Sequence, residues 1–262
     1  SYPQPVMYYD LLRSMAPEKP LVNCALDLVL SASTDGSRRY QCAYTTMWEA
    51  AIRGVSAVAM AVGNEAQSFR ELTKGVLADS ACLEALSIAC TDVNRLARVV
   101  RVFHQAEADV AILWSPPSQI YDTGKPYLDS VAHAYEGCSF FGLNLRFITE
   151  RQCRDGELQG VAILVIPHAL SMSQPAFEAL QKYVDNGGIV IRSGNPIPYD
   201  ERGMSRHEVL AYSLNTVLIQ GGDTPRSYLH AMDAAYALGG LEPLPRPINP
   251  YGYPLEGVIS RS

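Results

Sequence analysis

The sequence predicts an α/β protein in which parallel β-strands are covered by helices, arranged in two successive parts. Short runs rich in Val, Ile and Leu recur along the chain without polar alternation, as in strands that are buried on both faces. Segments with helical spacing of apolar residues separate these runs. Gly and Pro stand where the segments join. The chain has 262 residues, enough for one large or two ordinary domains.

Composition and charge exclude several classes of protein. Hydrophobic residues make up 48% of the chain and charged residues 18%, which is typical of a globular protein. The net charge of -6 leaves no excess of basic residues for a nucleic acid or a membrane surface. No apolar run approaches the ~20 residues of a transmembrane helix. We therefore expect neither a nucleic-acid partner nor a membrane.

Six cysteines occur without the spacing of a metal site: Cys24, Cys42, Cys82, Cys90, Cys138 and Cys153. They form no CxxC pair and have no histidine at ligand spacing. The sequence also lacks GxGxxG and P-loop motifs. We therefore expect no metal and no cofactor. Cysteines on apolar faces favour a reducing compartment, but the sequence leaves the localisation unknown: cytoplasmic, or periplasmic or secreted if an upstream signal was removed.

The first part, residues 1–78, alternates helix and strand. Apolar spacing predicts a helix over 5–17 and strands over 19–30 and 55–62. The stretch 31–40 is predicted to be a polar loop, and 41–54 a helix that ends at a glycine. Two parallel β/α units cannot close a sheet or bury both of its faces. In a TIM barrel they would be the last two units, so the remaining barrel segment must come from the same or another chain.

A linking helix is predicted over 79–106, followed by a second β/α domain over 107–241. Its alternation of strands and helices predicts a flavodoxin-like, doubly wound parallel sheet. The predicted strands cover 110–115, 145–149, 161–167, 189–194 and 216–222, and the main helices cover 126–142, 173–188 and 225–240. The Pro-rich and Gly-rich residues 242–262 are predicted to begin a further β-domain.

Polar side chains cluster where the two strands of the first part end. Asn23 and Asp27 belong to the first strand, and Asn64 and Glu65 follow the second. The carboxyl ends of barrel strands carry the active site in such enzymes. Carboxylates suit acid/base and nucleophilic work on glycosides, and amides bind sugar hydroxyls. Glu150, after a strand of the second part, is either a solvated loop residue or a substrate-binding residue at the rim of a neighbouring site.

Two stretches together resemble a known family. "MWEAAIRGVSAVAMAV" is similar to the last helix and eighth strand of retaining (β/α)8 glycoside hydrolases. "ADVAILWSPPS" and "LQGVAILVIPHALSMSQPAFEALQKYVDNGGIVIRSG" resemble the class I amidotransferase-like second domain of family 42 β-galactosidases. The resemblance implies that this domain carries no amidotransferase chemistry. It implies instead that the domain mediates assembly, as a homo-trimer or dimer, and lines the active site.

The resemblance also implies where catalysis would occur. The family uses an acid/base glutamate on the fourth barrel strand and a nucleophilic glutamate at the end of the seventh. Residues 19–30 take the place of the seventh strand, and the nucleophile then falls on Ala25, which carries only a methyl group. A shift of one or two residues places Asp27 there instead, on the same face of the strand. The resemblance thus makes Ala25 or Asp27 the expected catalytic position. With the strand-end pattern, we expect Glu65 to be catalytic as well, and Asn23, Asn64 and Glu150 to bind substrate.

Two functions follow from these observations. The first is part of a retaining glycoside hydrolase for an oligo- or polysaccharide with β-linked, galactoside-like units, with its nucleophile position inactivated at Ala25. The second is a non-catalytic module for carbohydrate binding or oligomerisation. The first predicts turnover once position 25 carries a glutamate, whereas the second predicts binding without turnover.

Overall fold

Two separate parallel sheets organise the chain. The computed structural model describes residues 4–23, 35–59, 79–105, 108–122, 126–141, 145–194, 197–208, 210, 214–219 and 222–241. Contacts divide the chain into a two-stranded unit, residues 16–106, and a five-stranded unit that combines residues 1–15 with residues 107–262. Each unit has its own apolar cluster.

The two-stranded unit pairs two short strands in parallel. Its described elements are β1 (Leu21–Asn23), α2 (Gly36–Ile52), β2 (Val55–Val58), α3 (Ser80–Arg95) and α4 (Ala97–Gln105). Small side chains from α2 and α3, among them Ala43, Cys82 and Ala85, are fully buried and let these helices approach closely. The parallel pairing confirms the β-α-β pattern predicted for this part.

Helix α2 begins five residues earlier than the sequence predicted. The carboxylate of Asp35 accepts a hydrogen bond from the amide of Ser37 at 2.9 Å and caps the helix. The prediction of a polar loop over the whole of 31–40 is therefore wrong from residue 36 onward. Gly54, at the other end, has φ +78°, which confirms the predicted C-terminal glycine.

The predicted linking helix consists of two helices. α3 ends at Arg95 and α4 begins at Ala97, with Leu96 capping the first of them. Asp79 begins α3 by accepting a hydrogen bond from the Cys82 amide at 3.1 Å, and Arg39 of α2 pairs with the same carboxylate at 2.5 Å. Both helices therefore belong to the two-stranded unit.

The five-stranded unit has the strand order β4-β3-β5-β6-β7 with every pairing parallel. Its strands are β3 (Val110–Trp114), β4 (Leu145–Thr149), β5 (Ile163–Ile166), β6 (Ile189–Arg192) and β7 (Thr216–Leu218). Its α-helices are α1 (Gln4–Met15), α5 (Pro116–Ile120), α6 (Pro126–Ser139), α7 (Glu150–Arg154), α8 (Gln174–Asp185) and α9 (Pro225–Gly239). This is the order 2-1-3-4-5 of flavodoxin-like folds, and it confirms the predicted doubly wound sheet.

The core of this unit lies on the three central strands. Every residue of β3, β5 and β6 is buried, as expected for strands covered on both faces. Helices α6 and α9 pack against each other, and α7 packs against α8. Residues 150–154, which include the Glu150 that was interpreted as a possible loop residue, form the helix α7, capped by the Thr149 hydroxyl and the Gln152 side chain.

The N-terminal helix α1 belongs to the five-stranded unit, whereas it was predicted to belong to the barrel part. The hydroxyl of Ser14 accepts a hydrogen bond from the Phe147 amide of edge strand β4 at 2.9 Å. Asp10, which is buried, accepts one from the Tyr135 hydroxyl at 2.7 Å. α1 thus covers an edge that would otherwise present an unpaired amide.

Candidate functional site

The predicted active-site edge is represented by the carboxyl ends of β1 and β2. The strands are parallel, with Asn23 opposite Val58, so that their carboxyl ends meet at one edge. Asn23 is the last residue of β1, and its carbonyl accepts a hydrogen bond from the Ala59 amide at 2.8 Å. Asn23 therefore lies at the edge where the sequence placed substrate-binding groups.

The other predicted residues of this edge lie outside the described part of the chain. They are Ala25, Asp27, Asn64 and Glu65. Their catalytic and substrate-binding roles stay predictions.

In the five-stranded unit, a polar residue lies directly after β3, β4 and β6, and others lie two residues beyond β5 and five beyond β7: Ser115, Glu150, Ser193, His168 and Asp223. The carboxyl ends of parallel strands are where ligands bind in open α/β sheets. This edge is thus the second place where a site is expected. The contacts of these residues decide whether it is open to a ligand.

Glu150 lies at the start of a hydrogen-bonded cluster inside this edge. Its side chain is 8% exposed. One carboxylate oxygen accepts a hydrogen bond from the Ser115 hydroxyl at 2.6 Å, and the other accepts one from the Ser173 amide at 2.9 Å. The Tyr127 hydroxyl accepts a hydrogen bond from the Ser115 amide at 2.7 Å. Burial raises the pKa of the Tyr127 hydroxyl far above its ordinary value.

These contacts are those of a buried structural carboxylate. The interpretation of Glu150 as a solvated loop residue is wrong, because the side chain is buried and its oxygens hold β3 and α8 to β4. Its part in substrate binding stays a prediction. A buried charged hydrogen bond of this kind stabilises a fold when all its members are satisfied.

The crevice between β3 and β5 is the topological switch point. The strand that follows β3 in the chain, β4, lies on one side of it, whereas β5, β6 and β7 lie on the other. The Ser118 hydroxyl fills it. Ser118 accepts hydrogen bonds from the amides of Leu170 and Ser171 at 3.1 and 3.0 Å, and donates one to the Ser171 carbonyl at 2.6 Å. The chain's own hydroxyl therefore occupies these two loop amides, which are no longer available to a ligand.

A second cluster joins β6, α6 and α9. The Asp223 carboxylate accepts hydrogen bonds from the hydroxyls of Ser130 and Ser193, the latter at 2.8 Å, while the Tyr228 hydroxyl lies 2.8 Å from that of Ser130. The His168 amide donates to both serine oxygens, at 3.1 and 3.0 Å. The cluster ties the loop after β5 to two helices.

This second cluster does not have the geometry of a catalytic triad. The ring of His133 bonds the Asp223 carboxylate, with Nδ1 at 3.3 Å from Oδ1. In a catalytic triad the serine hydroxyl is hydrogen-bonded to the imidazole. Here the hydroxyls of Ser130 and Ser193 donate hydrogen bonds to the Asp223 carboxylate instead. In the described residues no serine hydroxyl contacts a histidine ring by a hydrogen bond. The cluster is structural.

Sequence reasoning missed both clusters, although it placed the strands correctly. Ser115 and Glu150 are 35 residues apart, and Ser130 and Asp223 are 93 apart. The available signal was a polar residue directly after β3, β4 and β6, at Ser115, Glu150 and Ser193. Within the described ranges, no group of three His, Cys, Asp or Glu side chains is placed to hold a metal ion. No helix there is long and apolar enough to cross a membrane.

No family model matches the sequence, and no curated protein sequence does. Solved structures do match. An apo exo-carrageenase GH42 from Bacteroides ovatus aligns over 88% of this chain and 32% of its own, at 20% identity and TM-score 0.69.

Two β-galactosidases are similar as well. The enzyme from the psychrophilic Marinomonas ef1 aligns over 93% of this chain and 48% of its own, at 12% identity and TM-score 0.67. The enzyme from the Antarctic haloarchaeon Halorubrum lacusprofundi aligns over 78% of this chain and 31% of its own, at 19% identity and TM-score 0.52.

At identities of 20% or less, these matches establish the fold. The chain spans between 31% and 48% of the length of these enzymes. The parallel strand pair, the five-stranded sheet of order 2-1-3-4-5 and these alignments lead to one conclusion. The chain has the fold of a portion of GH42 β-galactosidases and exo-carrageenase.

Proposed function

We propose that this chain is part of a retaining glycoside hydrolase that acts on β-linked glycans of β-galactoside type. The observation that carries the proposal is that one alignment to a GH42 enzyme extends over 88% of the chain, and so draws on both units. A doubly wound sheet alone hosts many unrelated functions. The combination of this sheet with a second, parallel strand pair in one chain fits fewer classes of protein than the sheet alone.

The catalytic edge of the proposed enzyme is the one formed by the carboxyl ends of β1 and β2. Retaining glycosidases need two carboxyl groups about 5–5.5 Å apart, one as acid/base and one as nucleophile. Ala25, two residues beyond the described end of β1, takes the nucleophile position. A methyl group cannot attack the anomeric carbon, so this position is inactive. The amide of Asn23, at the same edge, binds sugar hydroxyls in this proposal.

The remaining predicted residues complete this edge in the proposal. Asn64 binds a sugar hydroxyl, and Glu65 supplies a carboxylate beside it. Asp27 is the alternative nucleophile in this proposal, because a strand that continued past Asn23 would direct side chains two residues apart to the same face. Aspartate is one methylene shorter than glutamate, a large change at an attack distance of ~3–3.5 Å. The acid/base comes from the remaining barrel segment, in the same or another chain.

The five-stranded unit serves as a scaffold in this proposal. Support comes from its carboxyl edge, where Ser118 occupies the switch-point amides and Glu150 and Asp223 are engaged within the fold. A unit whose usual ligand crevice is filled by its own side chains suits assembly and support. We propose that it contributes to a homo-oligomer.

Hydrolysis of an aryl β-galactoside tests the proposal. The full-length protein that contains this chain is compared with its Ala25→Glu variant and with Ala25→Gln, a matched control of the same size without the charge. We expect Ala25→Glu to gain hydrolysis, with retention of anomeric configuration, and Ala25→Gln to gain none. If Asp27→Asn removes activity from the unmodified protein while Ala25→Glu adds nothing, the nucleophile assignment is wrong.

The filled crevice also favours a second candidate, a non-catalytic module for carbohydrate binding or oligomerisation. This candidate predicts oligosaccharide binding that is equal in the unmodified protein and in Ala25→Glu, with no turnover in either. Calorimetric titration with a β-linked galacto-oligosaccharide, beside the hydrolysis assay, separates the two.

A further inference from the structure

A cleft of about 450 Å³ lies within the five-stranded unit, away from the carboxyl edge of its sheet. One wall is the end of α7 with the turn that follows it, and the other is the last turn of α8 with Gly187 and Gly188. These glycines directly precede β6, so the cleft opens near the amino ends of the strands. Its volume is within the range of ligand pockets in proteins.

The floor of the cleft is apolar and held in place. The side chains of Cys153 and Leu158 are 1% and 4% exposed. The Tyr183 hydroxyl has the carbonyls of Val161 and Ile189 within 3.1 and 3.2 Å, which fixes its ring. A Cβ on Gly188 would lie 2.3 Å from that ring, so this position must be a glycine for the wall to form. The cleft is therefore preformed.

The rim of the cleft carries hydrogen-bond donors with spare capacity. Lys182, Arg154, Gln159 and Asn186 line it. Within the described residues, the side chains of Lys182, Gln159 and Asn186 make no hydrogen bond or ion pair. Arg154 pairs through Nε with Asp155 at 2.9 Å, which leaves its terminal nitrogens for another partner.

Acidic groups near the cleft are already engaged. Asp155 is taken by Arg154, Asp185 accepts from the Gln181 amide at 2.8 Å, and Glu157 lies 3.6 Å from Arg146. None of the three lines the cleft, and neither does another Asp or Glu of the described chain. The lining charge is therefore positive, and the cleft suits an anion rather than a cation.

The cleft contains no group prepared for covalent chemistry. Burial raises the pKa of the Cys153 thiol to about 12, so that it stays protonated near neutral pH. Burial also raises the pKa of the Tyr183 hydroxyl to about 12. With neither nucleophile available, binding is the chemistry that remains.

We propose that this cleft binds a saccharide bearing a sulfate or carboxylate group. Lys182 and Arg154 provide charge-assisted hydrogen bonds to the acidic substituent. The amides of Gln159 and Asn186 pair with ring hydroxyls, and the floor around Leu158 receives the apolar face of the sugar. The choice of a saccharide over other small anions rests on the proposed function.

Calorimetric titration of the full-length protein tests this inference with four probes: galactose 6-sulfate, galacturonate, galactose and inorganic sulfate. We expect the two acidic sugars to bind, and we expect their affinity to fall as salt is added, because salt screens exposed charges. Lys182→Gln combined with Arg154→Gln should lower their affinity by at least about tenfold, because each variant removes a hydrogen bond from a charged donor. Arg151→Gln, which removes an exposed cation of α7 that does not line the cleft, is the matched control and should change nothing.

Each contrary outcome overturns a named part of the inference. If galactose binds as tightly as galactose 6-sulfate, or if the double variant binds as well as the control, the cationic rim is not the binding group. If inorganic sulfate binds as tightly as the sulfated sugar, the saccharide assignment is wrong. Hydrolysis of an aryl β-galactoside by the separate Ala25→Glu variant reports on the proposed function, whereas this titration requires no turnover, so the two can fail independently.

Discussion

The hydroxyl of Ser115 lies 2.6 Å from a carboxylate oxygen of Glu150, and both residues are buried at the carboxyl edge of the five-stranded sheet. The contact joins neighbouring strands β3 and β4 just beyond their ends. The second carboxylate oxygen of Glu150 accepts a hydrogen bond from the Ser173 amide, at the start of α8. One side chain thus fixes three elements.

Glu150→Gln should destabilise the fold. The amide keeps the shape of the side chain but replaces one accepting oxygen by a donor, so that one of two buried bonds is lost. We expect a loss of about 1–3 kcal/mol in the free energy of unfolding, measured by urea denaturation. Glu178→Gln, on the exposed face of α8, is the control and should stay within about 0.5 kcal/mol. A stable variant that loses saccharide binding would instead show that Glu150 is a substrate-binding residue.

Gly137→Ala should be destabilising although alanine is the better helix former. Gly137 lies in α6, and a Cβ there would stand 2.2 Å from the Pro225 carbonyl and 2.7 Å from the Tyr228 Cβ of α9. The gain in helix propensity is at most about 1 kcal/mol, whereas forcing the helices apart costs about 1–3 kcal/mol or more. The net loss should appear as a lower melting temperature.

Gly160→Ala is the matched control for that variant. An added Cβ at Gly160 would meet nothing within 4 Å. Its melting temperature should be unchanged or slightly higher. Equal effects of the two substitutions would contradict the close approach of α6 and α9.

Ser14→Ala should expose the edge of the five-stranded sheet. The Ser14 hydroxyl accepts the Phe147 amide at 2.9 Å and donates to the Asp10 carbonyl at 2.6 Å. Without it, the Phe147 amide loses its partner, and its hydrogen exchange should accelerate. Thr46→Ala removes a hydroxyl that bonds only to its own helix, at Cys42, and should leave exchange in β4 unchanged. Unchanged exchange at Phe147 in Ser14→Ala would show that α1 does not protect this edge.

Cysteine alkylation should separate exposed from buried thiols. Cys42 and Cys90 are exposed, whereas Cys138 and Cys153 are buried. Burial raises the pKa of the Cys138 and Cys153 thiols to about 12, and burial also raises that of the third buried thiol, Cys82, to about 11, so at pH 8 almost none of the three is the reactive thiolate. Iodoacetamide under native conditions should modify Cys42 and Cys90 first, as read by peptide mass spectrometry. Rapid labelling of Cys153 would contradict the closed floor of the cleft.

The sequence predicted those parts of the fold that depend on local patterns. Continuous apolar runs revealed β3 to β6, and Gly54 marked a helix end, because burial and left-handed backbone conformation leave local signatures. The start of α2 was missed because Asp35 and the polar residues after it are equally typical of a loop and of a capped helix.

The polar clusters could not be predicted in the same way. The hydrogen bonds from Ser115 to Glu150 and from Ser130 to Asp223 can form only after the sheet has brought the strand ends together. No periodicity records a contact between residues so far apart in the chain. The proposed catalytic edge rests on the resemblance and on the parallel pairing of β1 and β2. Residues 24–34 and 60–78, which would complete it, lie outside the described ranges.

The central claim is that Ala25 stands where a retaining hydrolase has its nucleophile. The most direct measurement incubates the full-length protein with 2,4-dinitrophenyl β-galactoside, with and without azide. With a methyl group at position 25, azide should enter the vacated space and attack the anomeric carbon while dinitrophenolate leaves, which gives the α-galactosyl azide. The account predicts this product with azide and negligible turnover without it. Turnover in buffer alone that Asp27→Asn abolishes, or no azide product at all, would contradict the claim.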